Sequence, residues 1–279
     1  MNSGEYVLGR SANAVRRLAI QDRQHAAISE AMLDQLQLRP EDRVVELGVG
    51  TGNFSRRIMR RLGERGVLVG VDYTKSLLDE ARRKLTGKLT GSSRAQFELV
   101  LDDIRSLGTW LDQADVVTGR TILHHIPMVE ALVGALRDRV RVGTRIGFVE
   151  PEFRIPAARI GLLEQQGRKE LAPLRHWAEG IVRYYQVRGL SPEIGASLPQ
   201  VLDYVGFQNI ASAYHDFPVD QDVIDNALLY YDEIGANYMD LGIMTAEEIG
   251  EQKRYFASLQ GAECAECAMW GMHYATCVA

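Results

Sequence analysis

Cysteine is scarce: the 279 residues include only three, Cys264, Cys267 and Cys277. So small and odd a count fits a reducing, cytoplasmic setting better than a disulfide scaffold. Long apolar runs are also missing. No stretch reaches the roughly 18 apolar residues of a membrane span, and the leading "MNSGEYVLGRSANAVRRLAIQDRQ" carries charges where a secretory leader needs an unbroken apolar segment. Nor is there an excess of positive charge. The formal net charge is −5, the pI is near 5.8, and acidic and basic residues are interspersed. That balance argues against a nucleic-acid or anionic-membrane partner. Internal repeats and low-complexity tracts are absent too, and a chain this long buries a core that needs neither disulfide nor metal.

What the sequence does contain is alternation. Residues 12–38 place Ala14, Leu18, Ala19, Ile28, Met32, Leu33 and Leu36 at helical spacing, with Ser11 as a candidate cap and Pro40 marking the boundary. Short apolar runs then alternate with amphipathic ones. "RVVELG", "GVLVGVD", "AQFELVLDD", "ADVVTGR" and "RIGFVEPE" read as strands. "NFSRRIMRRLG", "SLLDEARRKL" and "MVEALVGALRDRV" read as helices. This spacing implies right-handed crossovers and a parallel sheet covered on both faces. After Pro156 the rhythm changes. Residues 156–189 and 220–260 read as helical insertions, separated by a helix in "PEIGASLPQVLDYVGF" and a strand in "QNIASAYHDF", and the chain closes on a strand, "CAMWGMHYATCV".

The first strand runs into Gly48, Gly50 and Gly52. Glycine there lets the backbone turn sharply and lets a ligand come close, and the start of the next helix favours a polar ligand. A dinucleotide turn wants G-x-G-x-x-G; here the third glycine comes one residue early and Asn53 stands in its place. Asp72 ends the second strand about 20 residues on, where a carboxylate can accept ribose hydroxyls. These features point to a nucleoside ligand without choosing among nucleoside cofactors.

The wider pattern does choose. "ELGVGTG", with Glu46 two positions before Gly48, resembles the first motif of the class I S-adenosylmethionine-dependent methyltransferases. "GVDYTKSLLDEARRK", "LVLDDIRSLG", "DVVTGRTILHHIP" and "RIGFVEP" resemble, in order, the family's later motifs. The resemblance implies an α/β Rossmann-like class I methyltransferase fold: a seven-stranded, mostly parallel sheet with helical substrate-capping insertions. It further implies S-adenosyl-L-methionine as cofactor, with Asp72 on the ribose and Asp103 and Ile104 framing the adenine. Arg120 would belong to the same site. The leading "EYVLGRS" resembles the N-terminal signature of small-molecule members, which sets Tyr6 near the cofactor. Because the cofactor has no phosphates, the missing third glycine costs nothing, and its sulfonium suits an aromatic face such as Tyr6 or Tyr73. The expected organisation is an N-terminal helical segment (1–38) closing the site, a cofactor-binding core (39–153), and a remainder (154–279) carrying the insertions.

Ligands in open α/β sheets sit beyond the carboxyl ends of the strands. Residues after strands four and five are therefore the candidates to face the methyl group: Arg120, Thr121, His124 and His125 from one, Glu150 and Glu152 from the other. His125 and Glu152 are the candidates for catalysis, an imidazole being the natural base near neutral pH. His124, Glu150, His176, Trp177 and Tyr184 are the candidates for acceptor contact. Methyl transfer gains much of its rate from alignment, so a base is not obligatory. The aromatic content of the insertions suggests a small apolar or aromatic acceptor, with O- or C-methylation favoured and a place in specialised metabolism. Two other readings stay open: a protein that keeps the cofactor while catalysing cyclisation, and a nicotinamide-dependent oxidoreductase. Cys264, Cys267, His273 and Cys277 mimic a zinc pattern. A strand over 267–277 would spread Cys267, His273 and Cys277 over roughly 33 Å, so no metal is expected. A homo-oligomer is compatible with the sequence and not required by it.

Overall fold

The computed structural model describes residues 12–87, 95–259 and 264–279, with backbone alone at residues 12 and 264–269. Tyr6, Ser11 and the rest of the leading segment lie outside the described residues, as do the side chains of Cys264 and Cys267.

Two helices open the described chain, α1 (Ala12–Gln24) and α2 (Ala26–Gln35). The strand–helix alternation continues as β1 (Arg43–Leu47), α3 (Asn53–Met59), β2 (Val67–Asp72), α4 (Lys75–Thr86), β3 (Gln96–Leu101), β4 (Val116–Arg120), α5 (Val129–Arg139) and β5 (Arg145–Glu152). Then come α6 (Arg154–Gln165), α7 (Ala172–Val187), α8 (Ile194–Tyr204), β6 (Gln208–Val219), α9 (Gln221–Asp240), α10 (Ala246–Ser258) and β7 (Cys264–Val278). All seven strands form one sheet in the order β3-β2-β1-β4-β5-β7-β6. The ladders β3–β2, β2–β1, β1–β4 and β4–β5 are parallel. β1 thus has β2 on one side and β4 on the other, and the crossover reverses direction there, which is where open sheets of this kind bind ligands.

Central strands are apolar on both faces because both are covered. β1, β2 and β4 are buried almost throughout, whereas the edge strand β3 alternates between exposed and half-buried positions. The one helix expected over 12–38 is two, broken at the buried His25, whose ring lies 5.4 Å from that of Phe217. No glycine or proline marks that break, so periodicity alone did not reveal it.

The chain divides into two compact units. The sheet unit comprises Ala26–Pro151, Ile194–Tyr214 and Met272–Ala279. Its core joins Val45, Leu47, Val69, Val71, Val117, Ile146 and Phe148 of the strands to Leu132, Val133 and Leu136 of α5 and to Leu198 and Leu202 of α8. Each such side chain contributes roughly 1.5–3 kcal/mol on leaving water. The helical unit comprises the residues up to His25, Glu152–Glu193 and His215–Gly271. Its interior is aromatic: Trp177, Tyr184, Tyr185, Tyr231, Tyr238, Phe256 and Trp270 are all buried.

Candidate cofactor and acceptor sites

The glycine turn lies in the sheet unit at the end of β1. Gly48, Gly50 and Gly52 all take left-handed backbone angles, with φ of +73°, +53° and +77°. Only glycine adopts these freely. The three differ in their surroundings. A Cβ on Gly48 would lie 2.7 Å from Ile122 Cδ1, and one on Gly52 would lie 3.1 Å from the backbone of Ala81 on α4. At Gly50 a Cβ would meet nothing within 4 Å. Packing therefore demands the outer two glycines, and the middle one borders open space.

Where the turn's N–H groups go separates phosphate-bearing from phosphate-free ligands. Gly48 and Val49 donate to the Val71 carbonyl at 2.8 and 3.2 Å, and Gly52 donates to the Val49 carbonyl at 3.0 Å. Gly50 donates to Asp72 Oδ2 at 2.9 Å. A pyrophosphate cradle needs such groups aimed at the ligand; here they are used within the turn. A cofactor without phosphates fits this arrangement.

Asp72 closes β2 and is buried, its other oxygen accepting from the Thr74 N–H at 2.8 Å. Burial pushes its pKa up, and the N–H groups of Thr74 and Gly50 pull it back. The Thr74 side chain and the Tyr73 N–H also hydrogen-bond to this carboxylate, whose oxygens are acceptors of the kind a pair of vicinal hydroxyls needs. Glu46 lies deeper. It is fully buried on β1, accepts from Ser55 Oγ at 2.5 Å and is pushed up to about 8 by burial, against the pull of Ser55 and Arg120. Arg120, at the end of β4, stacks 5.2 Å from the Phe54 ring centroid and donates to Ser29 Oγ at 3.2 Å.

After β3 the chain uses its two adjacent aspartates differently. Asp102, unremarked in the sequence, accepts from Trp110 Nε1 at 2.8 Å, Ser106 Oγ at 2.7 Å and the Asp103 N–H at 2.8 Å. The Trp110 and Ser106 hydrogen bonds hold its pKa below the usual range. Asp103 caps the short turn Ile104–Ser106 and pairs with Arg105, while Ile104 is buried. Tyr73, next to Asp72, is 47% exposed.

The loop after β4 carries strain. Thr121, a β-branched residue, has φ +53°, and it is held by its N–H to the Val149 carbonyl at 2.8 Å and its hydroxyl to the Arg120 carbonyl at 2.7 Å. Glu150, fully buried on β5, organises the next three residues of that loop. Oε1 accepts from the N–H of Ile122 and Leu123 at 3.0 and 2.9 Å, while Oε2 takes the His124 N–H at 3.2 Å and meets His124 Nδ1 at 2.8 Å. Burial pushes its pKa up to about 7. Both oxygens are engaged in holding the loop, and His124 is buried with Glu150. The His125 ring lies against that of His124 with centroids 3.8 Å apart, and it is the more exposed of the two.

The remaining candidates belong to the helical unit. Glu152 is buried and caps α6 through Oε1, which accepts from the N–H of Arg154 and Ile155 at 2.6 and 3.0 Å. Its Oε2 is buried with no hydrogen-bond partner, and burial raises its pKa. His176 Nε2 and Trp177 Nε1 are likewise buried and unpartnered. Trp177 packs 5.8 Å from Trp270 and 6.3 Å from Phe256, ring to ring. Tyr184 carries the Arg188 guanidinium on both its hydroxyl and its face. Among the described residues no three His, Cys, Asp or Glu side chains gather to hold a metal. Cys277 is buried in the sheet unit with its thiol pushed up to about 12 by burial, and the His273 ring packs 4.7 Å from that of Tyr214. No helix among the described residues is long and apolar enough to cross a membrane.

A seven-stranded, mostly parallel sheet with a glycine turn on β1 and an acid closing β2 is the Rossmann-like fold of the class I methyltransferases. Residues 44–143 match a family described as a methyltransferase domain. Aklanonic acid methyltransferase DauC of Streptomyces sp. (strain C5) is 26% identical over 161 residues, covering 51% of this chain and 71% of DauC. An uncharacterised 37.1 kDa protein in transposon TN4556 of Streptomyces fradiae is 26% identical over 124 residues; that match takes in 44% of this chain and spans about a third (34%) of that relative's length. In three dimensions the chain is similar to mycolic acid cyclopropane synthase CmaA1 complexed with S-adenosylhomocysteine and CTAB. The TM-score is 0.56 at 13% identity, over 91% of this chain and 84% of CmaA1, a likeness of fold.

Proposed function

We propose that this chain transfers a methyl group from S-adenosyl-L-methionine to an oxygen or carbon atom of a small, apolar or aromatic acceptor in specialised metabolism. The observation that carries the cofactor half is Asp72, a buried acceptor at the end of β2 that braces Gly50 beside open space. When bound, the cofactor supplies an electrophilic methyl on a sulfonium. The chain's own residues bind and orient it. Asp72 holds the ribose, Ile104 and Asp103 frame the base, and Tyr73 and Tyr6 offer aromatic faces to the cation. Glu46 and Arg120 set the polarity beneath the turn.

The acceptor half rests on the aromatic helical unit, where Trp177, Tyr184 and His176 are the contact candidates. Glu152 and His125 are the candidate proton acceptors, Glu152 because its buried Oε2 lacks a partner. The name of the DauC relative, aklanonic acid methyltransferase, supports a small organic acceptor. The −5 net charge supports a small molecule over a nucleic acid. The test is turnover: the purified chain, S-adenosyl-L-methionine and a panel of phenols, enols and aromatic acids, read as S-adenosylhomocysteine release with a matching product mass. Product from at least one class is expected. Tight cofactor binding with no methylated product across the panel would favour a cofactor-retaining cyclase instead.

A further inference from the structure

The helical unit contains a buried polar cluster that the methyl-transfer reading does not use. Arg17 of α1 pairs with Glu233 of α9, Nε to Oε2 at 3.1 Å, with side chains only 4% and 6% exposed. The pairing is incomplete. Arg17 Nη2 and Glu233 Oε1 are both buried with no hydrogen-bond partner, and so is Asn226 Oδ1. Asn226, Tyr230 and Glu233 recur at i, i+4 and i+7 and so share one face of α9. The Tyr230 hydroxyl lies 3.4 Å from that of Tyr238, whose ring packs 5.4 Å from that of Tyr184.

An ion pair serving only to fasten α1 to α9 would be expected to satisfy its own atoms, because a buried donor or acceptor left unmade is costly. Here one donor and two acceptors are left over beside tyrosine rings. We propose that this cluster is an acceptor-recognition site for a neutral hydroxyl on an aromatic molecule. The hydroxyl oxygen accepts from Arg17 Nη2 while its hydrogen is donated to Glu233 Oε1, and the Tyr230, Tyr238 and Tyr184 rings bound the apolar body. Arg17 and Glu233 cancel in charge, and Glu233 Oε1 and Asn226 Oδ1 repel an anion, so the site selects a phenol over a carboxylate of the same ring. This inference rests on the methyltransferase reading for its biological sense, though the binding itself does not require methyl transfer.

The probes are naphthol, its methyl ether and naphthoate, titrated calorimetrically into the full chain saturated with S-adenosylhomocysteine. Naphthol should bind about tenfold or more tighter than either the ether, which cannot donate, or naphthoate, which is charged. Glu233→Gln should erase the preference over naphthoate. Removing one partner leaves a buried charge that can unfold the unit, so the double variant Arg17→Met/Glu233→Leu, checked by thermal melting, should bind naphthol and its ether alike. Equal binding of the three probes to the parent, or a preference that survives in the folded double variant, overturns the proposal and leaves the orphaned atoms to internal water. S-Adenosylhomocysteine binding in the same samples reads out the cofactor assignment separately. Its absence would count against the methyltransferase reading, whereas its presence with no naphthol preference would count against this site alone.

Discussion

Glu150 and His124 meet in the interior of the sheet unit, carboxylate Oε2 to imidazole Nδ1 at 2.8 Å, while the same carboxylate takes the N–H groups of Ile122, Leu123 and His124. One side chain on β5 thereby fixes the backbone that leaves β4. The strained Thr121 persists because its surroundings are over-determined in this way.

Replacing Glu150 by Ala would orphan three backbone N–H groups and a histidine ring, each worth about 1–3 kcal/mol when buried unpaired. The expected result is a loss of about 3 kcal/mol or more in chemical denaturation, together with a fall in turnover. Glu150→Gln keeps one acceptor oxygen and should fall between parent and Ala. If Glu150→Ala left stability unchanged, the loop would not depend on this carboxylate.

The glycines of the turn should separate by function. Gly50→Ala forces a side chain into a left-handed conformation, at roughly 1–2 kcal/mol, and meets no neighbour. It should fold with a modestly lower Tm and bind S-adenosyl-L-methionine more than tenfold weaker. Gly52→Ala and Gly48→Ala add contacts with Ala81 and Ile122 to the same strain, so both should lose clearly more stability. Thermal melts and titrations on the three variants check the order. Unimpaired cofactor binding by Gly50→Ala would remove the open space beside it from the site.

Stability should also depend on pH in a specified direction. A carboxylate whose folded pKa lies above its ordinary value of 4.5 holds its proton more tightly in the fold, as Glu46 does at about 8 and Glu150 at about 7. The stability tied to that proton is complete below the ordinary value and is lost as pH rises through the folded one, at up to about 1.4 kcal/mol per pH unit per site. The cofactor-free protein should therefore melt lower at about pH 8.5 than at about pH 6. Glu46→Gln, neutral at every pH, should show a smaller drop. Parallel melting curves for parent and variant would mean that Glu46 is ionised throughout.

The strands were legible because burial on both faces writes an unbroken apolar run. β5 was read over 145–152, as observed, and β1 and β2 within a residue of their limits. The turn was legible because backbone geometry there admits few residue types. The roles of Glu150 and Asp102 were not. Their partners are mostly loop N–H groups and side chains brought together by local folding, and a carboxylate spent on a loop looks in sequence like one aimed at a ligand. The break at His25 was hidden for a related reason: the ring that packs against it belongs to Phe217, far along the chain. Arg17 escaped notice among evenly spread arginines, since its burial against α9 has no signature in α1.

The central claim is that Asp72 and the glycine turn hold S-adenosyl-L-methionine, and calorimetric titration of that cofactor and of NAD into the parent and Asp72→Ala tests it most directly. The parent should bind S-adenosyl-L-methionine and not NAD. The variant should bind the cofactor about 30-fold weaker or worse, as expected from losing charge-assisted hydrogen bonds of about 1.5–3 kcal/mol each. Equal cofactor affinity in parent and variant, or binding of NAD in its place, would contradict it.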